Sequence, residues 1–232
     1  VLDSMNQACL ACIVMCVPRP AVSRRPASPR LLAAVLVFLA VQSTAVASLG
    51  TPLLPTVQHV ERVSLAASQW TLTITLLAGA VATPLMGRLG DGRLRRLTTV
   101  SAVAVMLAGC VLSALPAGFP AFLAGRVLQG AGLGLVPLAT AVARDDLLAD
   151  RSRSAIVLIG VTTAAGIGIG YPLVGLLAQG LGLYAPFWFA AGLSALALAA
   201  ALVALPDSPA RPARVDITGA VLLGAGIAGL LL

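Results

Sequence analysis

Apolar residues run along this chain in long uncharged stretches broken by short polar or basic punctuation, and the pattern predicts seven helices, at about 31–53, 68–87, 98–115, 121–143, 154–178, 184–205 and 217–232. Crossing a hydrocarbon core of ~30 Å takes roughly 20 apolar residues, and the first six stretches are of that order. Strand-like alternation is absent, so a β-barrel is disfavoured. The seventh stretch, "DITGAVLLGAGIAGLLL", opens on an acid and runs unbroken to Leu232, as the beginning of a further helix would. The expected fold is all-α and integral to the membrane: a six-helix bundle over 31–205, a linker over 206–216 and a truncated seventh helix over 217–232. Residues 1–30 stand apart, because Pro18, Pro20, Pro26 and Pro29 predict a disordered tail. Their arginines follow the apolar patch instead of preceding it, unlike a cleavable signal peptide, and Met5 is an alternative start.

Polar side chains are shared unevenly among these spans. Helix one carries Gln42, Ser43, Thr44, Ser48 and Thr51, and helix two carries Gln69, Thr71, Thr73 and Thr75. Helix four carries Arg126 and Gln129, and helix five carries Thr162, Thr163 and Tyr171, with Gln179 at its end. Helices three and six have only Ser101, Ser113, Tyr184 and Ser194. Polar groups inside hydrocarbon turn toward a bundle interior or a wet cavity, so helices one, two, four and five are expected to line something while three and six face lipid.

Composition agrees: hydrophobic residues are 59 % of the chain, charged residues 10 %, and the mean hydropathy is +1.01, far from a soluble domain. The formal charge of +7 would suggest a polyanion as partner, were it not for where the arginines sit. Thirteen of the fifteen fall before the first helix or in the connections after helices two, four and six, all on one side of the membrane. Arg62 alone lies on the other side, and Arg126 lies within a span. Positive residues concentrate in cytoplasmic loops, so the tail, the linker over 206–216 and the N-terminus are expected inside a cell membrane, with no nucleic acid as partner. Cys9, Cys12 and Cys16 form a C-x2-C-x3-C cluster without a fourth ligand at usable spacing, since His59, the only histidine, follows the first helix. No metal or cofactor is expected.

The connection after helix two, "MGRLGDGRLRRL", sets Gly87 and Gly90 three residues apart at a helix end, where a neighbouring helix can approach closely. Gly92 permits a tight turn straight after Asp91, and the arginines can hold the loop at the headgroups or pair with Asp91. With Gly87, Leu89, Gly90, Asp91, Arg95 and Arg96 in register, this loop resembles the G-x-L-a-D-r-x-G-r-k motif of the major facilitator superfamily, except that Leu94 replaces the second glycine. "AGRVLQGAGLG" resembles the family's helix-four motif through Arg126, Gln129, Gly130 and Gly132. "AGIGIGYPLVGLL" resembles its helix-five antiporter motif through Gly166, Gly170, Pro172 and Gly175, with Tyr171 inserted before the proline and Leu176 replacing the last glycine. A finer similarity, through "SLGTPLLPTV", "SQWTLTITLLAGAVATPLMGRLGD" and the seventh stretch, is to the family's fourteen-helix drug:proton antiporters and covers about 31–232.

The resemblance implies the N-terminal half of a transporter that moves small hydrophobic or amphipathic compounds by alternating access, with protons and a C-terminal half as partners alongside membrane lipid. It implies a cytoplasmic gate at Gly87, Gly90, Asp91, Arg95 and Arg96, a cavity or coupling set of Gln42, Thr44, Arg126, Gln129 and Tyr171, and a bend and packing seam in helix five at Gly166, Gly170, Pro172 and Gly175. The alternative is a truncated, non-transporting half-protein or relic that needs a second half. From the residues alone, Arg126 and Gln129 share one helical face, and a buried arginine costs at least ~2.5 kcal/mol unless partnered. The competing reading is an arginine that snorkels to the outer headgroups, within its ~9 Å depth. Trp70 reads as an interfacial anchor, Phe187, Trp188 and Phe189 as lipid-facing, and His59 as a solvated loop residue. Where the subfamily carries an Asp in helix one this chain has Gln42, and no Asp or Glu falls inside a predicted span. With one loop histidine and no intramembrane carboxylate, an intramembrane enzyme is not expected.

Overall fold

The computed structural model describes residues 28–90, 95–147 and 149–205, together with Gly219, Gly226 and Gly229. Among these residues six helical segments are long and apolar enough to cross a membrane: Pro29–Glu61, Leu65–Gly90, Arg95–Ala114, Phe119–Asp145, Ser152–Leu181 and Ala185–Ala204, here the first to sixth spans. The expected tail (to residue 27), Asp91, the linker over 206–216 and the body of the seventh helix lie outside the described residues.

Local chemistry explains the ends. Ser28 caps the first helix, its Oγ accepting the Leu31 N–H at 3.3 Å, and Pro29 occupies the first turn, where no N–H is required. This helix stops at Ala47; a 3-10 turn over Thr51–Leu53 and a short helix over Leu54–Glu61 then continue the span. The segment therefore runs eight residues past the expected end at 53, and His59 is an exposed helical residue, not a loop residue. Pro52 and Pro55 each sit in the first turn of a new helical segment, where no backbone N–H is required, and start it. Arg62 closes the extension in a left-handed conformation (φ 53°), and Gly182 (φ 89°) makes the turn between the fifth and sixth spans where a side chain would be strained.

The third span packs between the fourth and sixth, the second against the fourth, and the fifth against the first, which also touches the sixth and the far half of the fourth. Small residues make the closest seams. The second and fifth spans each bury one narrow stripe, Ser68, Thr71, Thr75 and Gly79 in one and Ala155, Ile159, Gly170, Val174 and Ala178 in the other. Only 11 % of each apolar window is buried, against 39 % to 56 % in the other four, so their remaining faces are uncovered by the other described residues.

The third and sixth spans are not simply lipid-facing. Ser113 and Ser194 are fully buried, as is Phe187, whose ring meets Phe122 edge-on at 5.2 Å, while Trp188 and Phe189 stay exposed. A span that turns one face to lipid and one to the bundle needs only one polar side chain on the inner face, and a polar count cannot see which face that is.

Candidate functional site

The fourth span brings the two residues of its motif together. Arg126 and Gln129 are one turn apart, and Arg126 Nη1 donates to Gln129 Oε1 at 2.6 Å. Arg126 Nε donates to the Thr71 carbonyl of the second span at 3.3 Å. Gln129 Nε2 in turn donates to the Gly109 carbonyl and to Ser113 Oγ of the third span, both at 3.2 Å. The Arg126 guanidinium also lies 6.0 Å from the centre of the Phe187 ring in the sixth span. Four spans thus meet at the Arg126–Gln129 pair, each residue 1 % exposed, which excludes the snorkelling arrangement for Arg126. Its amide and carbonyl partners disperse the charge without a carboxylate, and the helix that ends at Ala47 directs its carbonyl end toward Gly50, where an added Cβ would lie 3.2 Å from Arg126 Nη2.

The backbone makes room for this knot. At Gly109 a Cβ would lie 2.7 Å from the Gly125 carbonyl oxygen and 2.8 Å from the Gln129 nitrogen. Past Ala131 the fourth span tightens into a 3-10 turn over Gly132–Gly134, and Ser43 of the first span donates its hydroxyl to the Gly132 carbonyl at 2.9 Å.

Gln42 sits in a second buried polar pair. Its Nε2 donates to Ser194 Oγ at 2.7 Å, Ser194 donates to the Ala190 carbonyl, and Gln42 Oε1 has no hydrogen-bond partner among the described residues. Thr44 returns its hydroxyl to the carbonyls of Ala40 and Val41 and packs on Gly166, while Ser48 packs on Gly170. Tyr171 lies on the exposed side of the fifth span and makes no hydrogen bond to either cluster. The fifth span is helical through Pro172, and Gly175 has open space where a side chain would stand.

At the basic end, Gly90 is buried against Leu138, whereas Gly87 is exposed with nothing near it. Arg95 pairs with Asp145 at the end of the fourth span, and its Nε donates to the Gly90 carbonyl at 3.0 Å. Arg96 Nη2 donates to the Leu202 carbonyl in the last turn of the sixth span at 3.0 Å, a favourable place for a cation. The two arginines therefore bind the ends of the second, fourth and sixth spans to the third. Asp145 is 42 % exposed, so Asp145→Asn is expected to lower the Tm by no more than about 4 °C in a thermal-shift assay. At the opposite end Tyr184 donates to Glu61 Oε1 at 3.0 Å; burial first, then the Glu61 carboxylate, hold the phenol above its ordinary pKa, so it remains a donor at neutral pH.

Sequence reasoning missed Asp145, Ser113 and Ser194. The run Arg144, Asp145, Asp146 at a helix end was a usable signal for the first; a single serine in an apolar run was not.

The family model described as Major Facilitator Superfamily matches residues 31–227. A triacylglyceride transporter of Mycolicibacterium hassiacum is 36 % identical over 66 % of this chain and 29 % of its own length. The tetracenomycin C resistance and export protein of Streptomyces glaucescens is 34 % identical over 84 % of this chain and 36 % of its own length. The chain thus spans about a third of the length of these curated relatives. Among solved structures, the human organic anion transporter MFSD10 superposes with a TM-score of 0.61 at 22 % identity, over 88 % of this chain and 55 % of that one. A peptide transporter bound to sulfate superposes with a TM-score of 0.68 at 17 % identity, over 87 % and 45 %. Both show the fold alone.

Proposed function

The chain belongs to the major facilitator superfamily, and from that premise we propose that it is the N-terminal bundle of an exporter of small hydrophobic or amphipathic compounds, of the fourteen-helix drug:proton antiporter type. It is part of a multi-pass membrane transporter and not an enzyme. The observation that carries the finer reading is the Arg126 knot: a guanidinium without a carboxylate among its hydrogen-bond partners, placed where the second, third, fourth and sixth spans converge. Such a group is retained in a membrane at a cost, and marks a pathway or a coupling element. Gln42, Thr44 and Tyr171 complete the cavity or coupling set, and Gly166, Gly170, Pro172 and Gly175 the bend and seam of the fifth span. Gly87, Gly90, Asp91, Arg95 and Arg96 form the cytoplasmic gate. Transport follows by rocking this bundle against a C-terminal half, which covers the bare faces of the second and fifth spans.

A proton partner needs a titratable group, and Gln42 is not one, so either the carrier belongs to the other half or the coupling scheme differs. The names of several relatives favour a second reading, in which the cargo is a neutral lipid. Efflux of a lipophilic dye from cells making the full-length protein, run beside transfer of labelled triacylglyceride, separates the two: dye efflux alone supports the first, lipid transfer alone the second, and neither removes both. The N-terminus is assigned to the cytoplasm of a cell membrane, so reporters fused after Arg62 and after Arg96 are expected to read external and cytoplasmic. The reverse pattern inverts the topology.

A further inference from the structure

At the basic end of the bundle, residues of the first and fifth spans line an open cavity of about 510 Å³, within the size range of small-molecule sites. Its walls are apolar, made by Ala33, Ala34, Val37 and Leu158, and its polar groups are Arg30 and Ser154. On the first span, Gln42 points to the sixth span and Thr44 packs on the fifth; Leu31 and Ala34, both exposed, lie on the helical face between those two directions. The cavity therefore opens sideways between the fifth and sixth spans and not toward the Arg126 knot.

We propose that this groove holds an anionic phospholipid, with its phosphate at Arg30 and one acyl chain against Ala33, Ala34, Val37 and Leu158. Three features argue for this occupant. Among the described lining residues the one charge, Arg30, is positive, and Arg153, also exposed, adjoins Ser154 in sequence. The charged residue lies in the first turn of its span, at headgroup level, with the apolar walls running inward from it. A basic pocket between membrane helices that opens sideways is reached directly by the lipids around it and favours anionic headgroups. Retention here is independent of the transported cargo.

The test is native mass spectrometry of the full-length protein released from detergent micelles doped with phosphatidylglycerol or phosphatidylcholine. Phosphatidylglycerol is expected to be retained preferentially. Arg30→Gln lowers its retention about fivefold, the loss of one surface cation. Ala34→Trp, which fills the groove from an exposed position, removes it, while Arg144→Gln, another exposed arginine at the same end, leaves it intact. Equal retention of both lipids, retention unaffected by Ala34→Trp, or displacement by inorganic phosphate alone would each overturn the proposal. So would retention that appears only after deletion of residues 1–27, because the groove would then be filled by that segment.

Discussion

Replacing Arg126 with lysine abolishes transport by the full-length protein while leaving its amount in the membrane within about twofold. Lysine keeps the charge but not the planar fork that reaches the Thr71 carbonyl with Nε and Gln129 Oε1 with Nη1. Arg126→Ala is expected to behave alike, and the magnitudes show why the fold survives. Two hydrogen bonds to a charged donor are lost, about 1.5–3 kcal/mol each, while the insertion cost of a buried arginine, at least ~2.5 kcal/mol, is relieved. The relief cancels about half of that loss or more, so the net cost stays at a few kcal/mol or less and a lost activity is separable from a lost protein. Dye efflux normalised to an immunoblot of washed membranes measures both. Normal efflux by the lysine variant would reduce the requirement to a positive charge, and normal efflux by the alanine variant would make Arg126 a packing residue.

Gly109→Val has the opposite signature: the folded protein itself disappears. A Cβ at this position meets the Gly125 carbonyl, the Gln129 backbone nitrogen and Leu128 Cβ at 2.7, 2.8 and 2.9 Å, and two of those three are backbone atoms of a packed helix that cannot turn away. The third and fourth spans must separate, and Gln129 then loses both the Gly109 carbonyl and Ser113. The monodisperse fraction in fluorescence-detected size-exclusion chromatography is expected to fall by at least about tenfold. Gly192→Ala, where an added Cβ finds nothing within 4 Å, is expected to match the parent. Equal yields from the two variants would show that the seam at Gly109 is looser than drawn.

Much of this architecture is readable from the order of residues, because uncharged length and arginine placement report directly on what the bilayer demands. The first span is the exception, since proline there starts segments and does not end them. In the site, the Arg126–Gln129 contact follows from i, i+3 spacing alone. Its other partners do not: the Thr71 and Gly109 carbonyls are main-chain groups that every residue carries, and only tertiary packing singles them out. Ser113, Ser194 and Phe187 were misplaced for a related reason, as an apolar span hides which of its faces turns inward. The pairing of Arg95 with Asp145, fifty residues away, needed both helix ends to be placed first.

The way the Arg126 charge is held bears on how the protein meets membrane voltage. The guanidinium stays ionised and is fixed to its own bundle, so it moves only as far as the bundle tilts. One elementary charge crossing the whole bilayer gains about 2.3 kcal/mol per 100 mV, so a shift of a tenth of that path is worth only ~0.2 kcal/mol, below the thermal energy of ~0.6 kcal/mol. Through Arg126 alone, an electric field across the membrane therefore has almost no grip on any such tilt.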